Sequence, residues 1–357
     1  MQDIADRAGV SRMTVSRALR NHPKISRATT RRVQAIAREL GYRANPLVSA
    51  LMANLRYSRT TTGATHLAFL TSFPSRNGWR ETPTFRKYYE GARRRAEQLG
   101  YKLDVFWLRE PGMTGGAITR ILVTRNIQGV LIAPTPEPRM PVDLDWSRFA
   151  AVAFGYSMNV PQHLYRVTNH QQHTAILALE KLRSRSYHRI GLCLPSSGNE
   201  RVDNNWLAGY LLDQHKVPPR HRIPPHLPLK WEQAGFEQWF RKHRPDAILT
   251  ISHQVRGHLL AEWTDALGLK VPRDLGIAVL DWTGETAGFA GIDQNSEMVG
   301  AAAVDLLIEQ LYRNERGIPE KSKVVLIDGE WVDGDSARRK GQSTRQTRDA
   351  SPEAGSA

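Results

Sequence analysis

The stretch Ala8-Gly9-Val10-Ser11-Arg12-Met13-Thr14-Val15-Ser16-Arg17-Ala18-Leu19-Arg20 decides how the chain begins. Gly9 can take the positive φ that ends a helix, and Ser11 can cap the next one. Val15, Ala18 and Leu19 then fall on one helical face, with Arg12, Met13, Ser16, Arg17 and Arg20 on the other. Working outward, Ile4, Ala5 and Ala8 give a short first helix its apolar face. On the other side Ser26 is a plausible cap for a third helix, with Val33, Ile36, Ala37 and Leu40 as its stripe and Gly41 as its stop. Two short helices joined by a glycine-containing turn, the second one basic, predict a helix-turn-helix.

The charge agrees with that placement. The chain has 357 residues with 50 Lys+Arg against 35 Asp+Glu, a net charge of +15. Residues 1–60 hold twelve basic and three acidic residues, so one sixth of the chain carries +9. Residues 336–357 carry +3, and the long middle carries only +3. A basic head on a nearly neutral body points to nucleic acid. The one cysteine, Cys193, excludes an intrachain disulfide framework and a thiolate zinc cluster. Apolar runs fall far short of the ~18–20 residues of a membrane span, and Met1 to Arg7 has acids where a signal peptide needs cations. The expectation is a cytoplasmic protein without membrane association.

After the head, Asn45 can cap and Pro46 can start a short helix carrying Leu47, Val48, Leu51 and Met52. Two turns are too few to be stable alone in water. The polar run from Tyr57 to Thr65 reads as a linker. From His66 onward strand and helix alternate. Strands are expected at 66–71, 101–106, 130–133, 150–154, 189–194, 247–251 and 275–280, and helices at 88–99, 117–125, 173–182, 205–214, 258–267 and 299–311. Such alternation predicts parallel sheets covered by helices, in two rounds and hence two lobes. Ligands bind such sheets at the strands' carboxyl ends, here the cleft between lobes. The helix 299–311 is expected to bridge back to the first lobe.

Three motifs, Ala8-Gly9-Val10-Ser11, Thr14-Val15-Ser16-Arg17 and Leu40-Gly41-Tyr42-Arg43-Ala44-Asn45, resemble the N-terminal signature of the lac-repressor (LacI/GalR) family of bacterial transcription regulators. The order of head, hinge and two-lobed body is similar to that family along almost the whole chain. Gly129-Val130-Leu131-Ile132, Leu207-Ala208-Gly209-Tyr210 and Asp293-Gln294-Asn295-Ser296 stand at family landmarks. The resemblance implies an all-α helix-turn-helix head with a hinge helix and an α/β, periplasmic-binding-protein-like effector body with parallel sheets. It implies base contacts by Arg12, Met13 and Arg17 in the major groove. Ser11, Thr14, Ser16, Arg20, Lys24 and Thr29 would hold phosphates, which set register without reading sequence. At the hinge, Asn45, Leu51 and Met52 would meet the minor groove, with Leu51 the wedge between base steps. Ala44 replaces the usual proline there, and Arg20 stands where asparagine is common.

The same alignment gives Phe73, His170, Trp206, His253, Asp281 and the adjacent Trp282 as effector-contacting positions. Several depart from the family pattern. His170-Gln171 replaces Asp-Asn, Ser252-His253 replaces Asn-Asp, and Trp206 replaces an arginine that often holds ligand oxygens, while Asp281 matches. The favoured reading is a small effector, a carbohydrate or glycoside, stacked on Trp206, Phe73 and Trp282 and hydrogen-bonded by Asp281 and the histidines. The alternatives are an effector-independent regulator with a degenerate cleft, and a solute-binding protein without DNA function, which the head argues against.

The expected organisation is a DNA-binding domain over 1–44, hinge and linker over 45–64, an effector-binding and dimerising body over 65–335, and a disordered basic tail over 336–357. That tail lacks leucine heptads, so a homodimer on a palindromic double-stranded operator is expected. His170, His173, His215, His221 and His226 lack the carboxylates and spacing of a metal site. Gly112 to Gly116 precedes a helix and offers at most a weak anion loop. No Walker loop, zincin motif, nucleophile elbow or dinucleotide glycine run is present. The expectation is therefore a protein without cofactor or catalytic site.

Overall fold

A computed structural model of the chain describes residues 1–19, 22, 24–42, 65–138, 140–158, 160–256 and 259–339, the side chains of Arg256, Leu259 and Ala261 excepted. Arg20, the expected hinge residues Asn45, Leu51 and Met52, and the tail beyond residue 339 lie outside the described residues.

The head is three helices: α1 (Gln2–Ala8), α2 (Arg12–Ala18) and α3 (Arg27–Glu39). Gly9 closes α1 at φ 61, donating its N–H to the carbonyls of Ala5 and Asp6. Ser11 Oγ accepts from the Thr14 N–H at 3.1 Å, and Ser26 Oγ does the same for Thr29 at 3.1 Å. Ile4, Ala5, Ala8, Val15, Ala18, Val33 and Ala37 form one small core, as the periodicity predicts. Leu40 departs from the expectation. It is the residue after α3 and is 41% exposed, and the half-buried Ile36 and Tyr42 cover the core instead.

The body has two sheets. The first contains β1 (Thr65–Thr71), β2 (Tyr101–Trp107), β3 (Gly129–Ile132), β4 (Ala150–Phe154), β5 (Tyr165–Asn169) and β10 (Val324–Ile327), in the order β10-β5-β4-β3-β1-β2, all parallel. The second contains β6 (Ile190–Leu192), β7 (Ala247–Thr250), β8 (Gly276–Trp282), β9 (Ala290–Asp293) and β11 (Glu330–Val332), in the order β11-β9-β8-β7-β6, with only β11 antiparallel.

Both faces of each sheet are covered, which is why the strands read as apolar runs rather than alternations. In the first lobe Leu67, Phe69, Leu131 and Val152 pack under α4 (Pro83–Gln98), while Ala68, Leu70, Val130 and Ile132 pack under α5 (Gly115–Thr124). In the second, α6 (Gln171–Arg183) and α8 (Asn205–Lys216) cover the Leu192 and Leu249 side. Phe236 and Trp239 of α9 (Gln233–His243) and Leu260 of α11 (Leu259–Ala266) cover the Ile248 and Val279 side. Short helices α7 (Ser196–Glu200) and α10 (Ser252–Arg256) follow β6 and β7.

The chain passes between lobes at three places: β5 into α6, β9 into α12 (Ser296–Arg313), and β10 into β11. As expected, α12 returns to the first lobe. It lies so close to α4 that a Cβ on Gly300 would fall 2.1 Å from the Tyr88 carbonyl oxygen, so only glycine fits. Asn169 ties the crossings together. Its Nδ2 donates to the carbonyls of Ile327 at 2.9 Å and Gln294 at 3.4 Å.

The body also runs past residue 335, where the sequence suggests a disordered tail. Ser336, Ala337 and Arg338 are buried. Ser336 Oγ donates to the Ile277 carbonyl at 2.6 Å, and the Arg338 guanidinium lies 4.4 Å from the Tyr187 ring centroid. Serine and arginine look solvated in a composition count but are here strand-edge and ring partners. Among the described residues no helix is long and apolar enough to cross a membrane.

Candidate functional site

Two regions carry chemistry. The first is the outer face of α2. Packing of Val15 and Ala18 into the head core turns Arg12, Met13, Ser16 and Arg17 outward. Met13 is 62% exposed, unusual for a large apolar side chain on so small a domain. Among the described residues no carboxylate pairs with Arg12, Arg17 or the exposed Lys24, so their charge is available to an outside anion. Ser11 and Thr29 are engaged in the caps of α2 and α3, which fixes the positions of both helix starts.

The second region is the cleft where the carboxyl ends of both sheets face each other. The first lobe contributes an aromatic wall. Its half-buried rings are Phe73 and Phe85, 6.0 Å apart, and behind them in the lobe's core Tyr88 lies 6.2 Å from Phe85 and stacks on the buried Phe154 at 5.3 Å. The second lobe contributes Arg201, from the loop joining α7 and α8. Its guanidinium sits 5.5 Å from the centre of the Phe85 ring and donates to the Pro136 carbonyl of the first lobe at 2.6 Å. Burial pulls the Arg201 pKa below its ordinary value, offset in part by Tyr88. The group stays protonated, because arginine does not lose its proton in proteins.

Asp281 stands across the cleft. One carboxylate oxygen accepts from the Ser252 N–H at 2.5 Å and the other from Ser252 Oγ at 2.8 Å. The Tyr88 hydroxyl is pushed well above its ordinary pKa, first by burial and then by the charge of Asp281, with Arg201 opposing. Tyr88, Asp281 and Arg201 therefore share one electrostatic environment. Buried polar atoms without a protein partner lie close by in the fold: Thr71 Oγ1 and Thr250 Oγ1 at the ends of β1 and β7, and Trp206 Nε1 in the first turn of α8.

The other expected effector residues are dispersed. His170 immediately precedes α6 at a lobe crossing, and its side chain makes no cap bond but sets Nδ1 2.9 Å from the Asp328 carboxylate. His253 is exposed on α10. A register shift in β8 between Val279 and Trp282 turns Trp282 onto the outer core, where its Nε1 donates to the Phe289 carbonyl at 3.0 Å. Trp206 is 5% exposed and packs in the second lobe's inner core.

Arg201 is the residue the sequence did not single out. Its only signal was a cation in the loop after a strand's carboxyl end, five residues before the tryptophan that replaces the usual arginine.

Salt links between the lobes flank the cleft. Arg86 of α4 meets Glu285 at 2.5 Å, and Lys87 lies 3.7 Å from Asp293. Elsewhere, the Gly112–Gly116 loop starts α5 with its own cap, since Thr114 Oγ1 accepts from the Ala117 N–H at 3.2 Å. A Cβ on Gly115 would fall on the Asp143 carboxylate, and that charge repels an anion. Among the described residues no group of three or more histidine, cysteine or acidic side chains is placed to hold a metal ion. His170 stacks with His173, His188 packs edge-on to His221, and His226 stacks with Trp239.

Residues 1–45 match the family described as bacterial regulatory proteins, lacI family, and residues 179–337 match the periplasmic binding protein-like domain. The chain is 25% identical over 327 residues to the HTH-type transcriptional repressor CytR of Escherichia coli (strain K12), covering 87% of this chain and 89% of that one. In fold it is similar to the lac repressor dimer bound to operator and the anti-inducer ONPF, at TM-score 0.54 and 19% identity, covering 94% of this chain and 98% of that one. It is also similar to the transcriptional regulator CelR in complex with cellobiose, at TM-score 0.56 and 16% identity, with the same shares of each chain covered.

Proposed function

We propose that this chain is a DNA-binding transcriptional regulator of the LacI family, a repressor whose grip on DNA is set by a small effector between its lobes. The observation that carries the reading is the pairing of an unneutralised basic α2 face with a two-lobed body whose cleft holds Tyr88, Arg201 and Asp281.

In this reading Arg12, Met13 and Arg17 enter the major groove. Arg17 pairs with guanine O6 and N7, worth ~1–3 kcal/mol of discrimination, and Met13 packs on a thymine methyl. Ser11, Thr14, Ser16, Arg20, Lys24 and Thr29 hold the phosphates. Asn45, Leu51 and Met52 form the minor-groove hinge. The divisions are a head over 1–44, a hinge and linker over 45–64, and a body from 65 that includes at least Arg338. Two copies pair through their bodies and place two heads on the halves of an inverted repeat.

The effector is a polyol or sugar. Phe73 and the aromatic wall stack against it, and Asp281 and the Trp206 indole N–H bond its hydroxyls. His170 and His253 act at the hinge and the rim, and Trp282 supports the floor. Closure of the lobes on the effector changes how the hinges are presented to DNA. The protein works by binding, without catalysis or cofactor. Calorimetry of the full chain with a panel of sugars, followed by operator titration at each ligand concentration, tests this. A sugar that binds and shifts operator affinity supports the reading. A sugar that binds without moving operator affinity contradicts it.

A further inference from the structure

Resting on the reading of the cleft as an effector site, we propose that Arg201 makes that site selective for an anionic polyol, a ligand with hydroxyls at one end and a carboxylate or phosphate at the other.

A guanidinium has five N–H donors, and Arg201 spends one contact on the Pro136 carbonyl and a face on Phe85. Among the described residues no carboxylate lies within ion-pair distance of it. A largely buried cation without a counter-charge is costly unless something supplies the charge. The acids nearest in sequence, Glu200 and Asp203, are exposed, and Asp203 acts on Arg166 and Tyr156 instead.

Next is how Arg201 is held. Asn199, 2% exposed, donates from Nδ2 to Asn204 Oδ1 at 2.7 Å and accepts from the Leu207 N–H at 3.2 Å. Asp203 and Asn204 both take positive φ, 54° and 59°. The loop is therefore a locked turn that presents Arg201 to the opposite lobe, and a rigid fork suits a planar carboxylate or a phosphate.

Third is the polarity of the rest of the site. Asp281, whose oxygens accept from the Ser252 N–H and hydroxyl, is the acidic side of the cleft and suits ligand hydroxyls, which donate to a carboxylate. The Tyr88 hydroxyl, which feels both charges, stays protonated at neutral pH. A neutral sugar satisfies the Asp281 side and leaves Arg201 unmatched, whereas a sugar acid or sugar phosphate satisfies both.

The test is calorimetry of the full chain at fixed ionic strength with three matched probes: D-glucose, D-gluconate and D-glucose 6-phosphate. It is run on the wild type, Arg201→Gln and Arg201→Lys, with the melting temperature of each variant recorded. At least one anionic probe is expected to bind the wild type tenfold or more tighter than glucose. Gln should abolish that preference, and Lys should keep part of it. Gluconate against the phosphate ester tells which anion fits. Equal binding of neutral and anionic probes, or a preference that survives in Arg201→Gln, overturns the proposal while leaving the effector reading intact. Binding of none of the probes overturns this proposal and counts against the carbohydrate effector as well.

Discussion

Arg201 of the second lobe reaches across the cleft and hydrogen-bonds the Pro136 carbonyl of the first at 2.6 Å. The Arg86–Glu285 pair bridges the same gap from the opposite direction, cation on the first lobe and acid on the second. Lys87 and Asp293, 3.7 Å apart, add a third such contact, and a cleft held this way is latched rather than fused, since each is worth little alone.

The Arg86–Glu285 latch can be reversed. Both side chains are about two-fifths exposed, so the pair contributes at most ~1 kcal/mol. Arg86→Glu sets two carboxylates against each other and should open the lobes, raising the radius of gyration in small-angle scattering. Adding Glu285→Arg should restore it. No change in either variant would show that the latch does not govern closure.

Asn169 is the buried tie at the lobe crossings. Asn169→Ala leaves the Ile327 carbonyl without its side-chain donor and strands Thr174, whose hydroxyl donates to Asn169 Oδ1 at 2.8 Å. The expected loss is ~1–3 kcal/mol in urea unfolding. A loss under ~0.5 kcal/mol would mean the tie is dispensable.

The lobe crossings are also where the sequence was least legible. The head was readable because Val15, Ala18 and Val33 repeat at helical spacing and Ser11 and Ser26 are local caps. The central strands were readable because burial on both faces makes them apolar runs. Strands β5, β9, β10 and β11 were not read, and each adjoins a passage between lobes. Val324 and Leu326 are over 40% exposed at a sheet edge, and Tyr165 to Asn169 mixes polar and apolar residues. His170 was legible as a landmark position, but its partner Asp328 lies 158 residues away. Trp282 was placed by its adjacency to Asp281, and the register shift in β8 turns it onto the outer core. Arg201 belongs to no landmark, and its burial depends on Phe85 and Pro136 from the other lobe.

His226 gives a pH signature. Burial beside Trp239 lowers its pKa below the ordinary 6.5. The unfolded chain takes up a proton near pH 6.5 that the folded chain resists. Its contribution to stability is therefore present above that pH and is lost as the pH falls toward the folded value. Stability measured by urea should fall between pH 7 and pH 5 less steeply in His226→Gln than in the wild type. Equal slopes would mean that His226 does not contribute to the pH dependence.

In the proposed function Arg17 on α2 reads bases, while Lys24, in the turn before α3, grips the phosphates. Arg17→Ala should relax base choice at one position of each half-site by ~1–3 kcal/mol. Lys24→Ala should weaken binding to all sequences alike and reduce the salt slope by ~1. Competition titrations on operator variants at several salt concentrations check both. A uniform loss from Arg17→Ala would reassign it to the phosphates.

In the proposed function this chain reads DNA as a symmetric pair. Selection of bound fragments from genomic DNA by the purified full chain, followed by sequencing, tests it most directly. The expected result is enrichment of an approximate inverted repeat, bound with an affinity that falls steeply with salt. Recovery of fragments without a shared inverted repeat, or no retention of DNA at low salt, would contradict it.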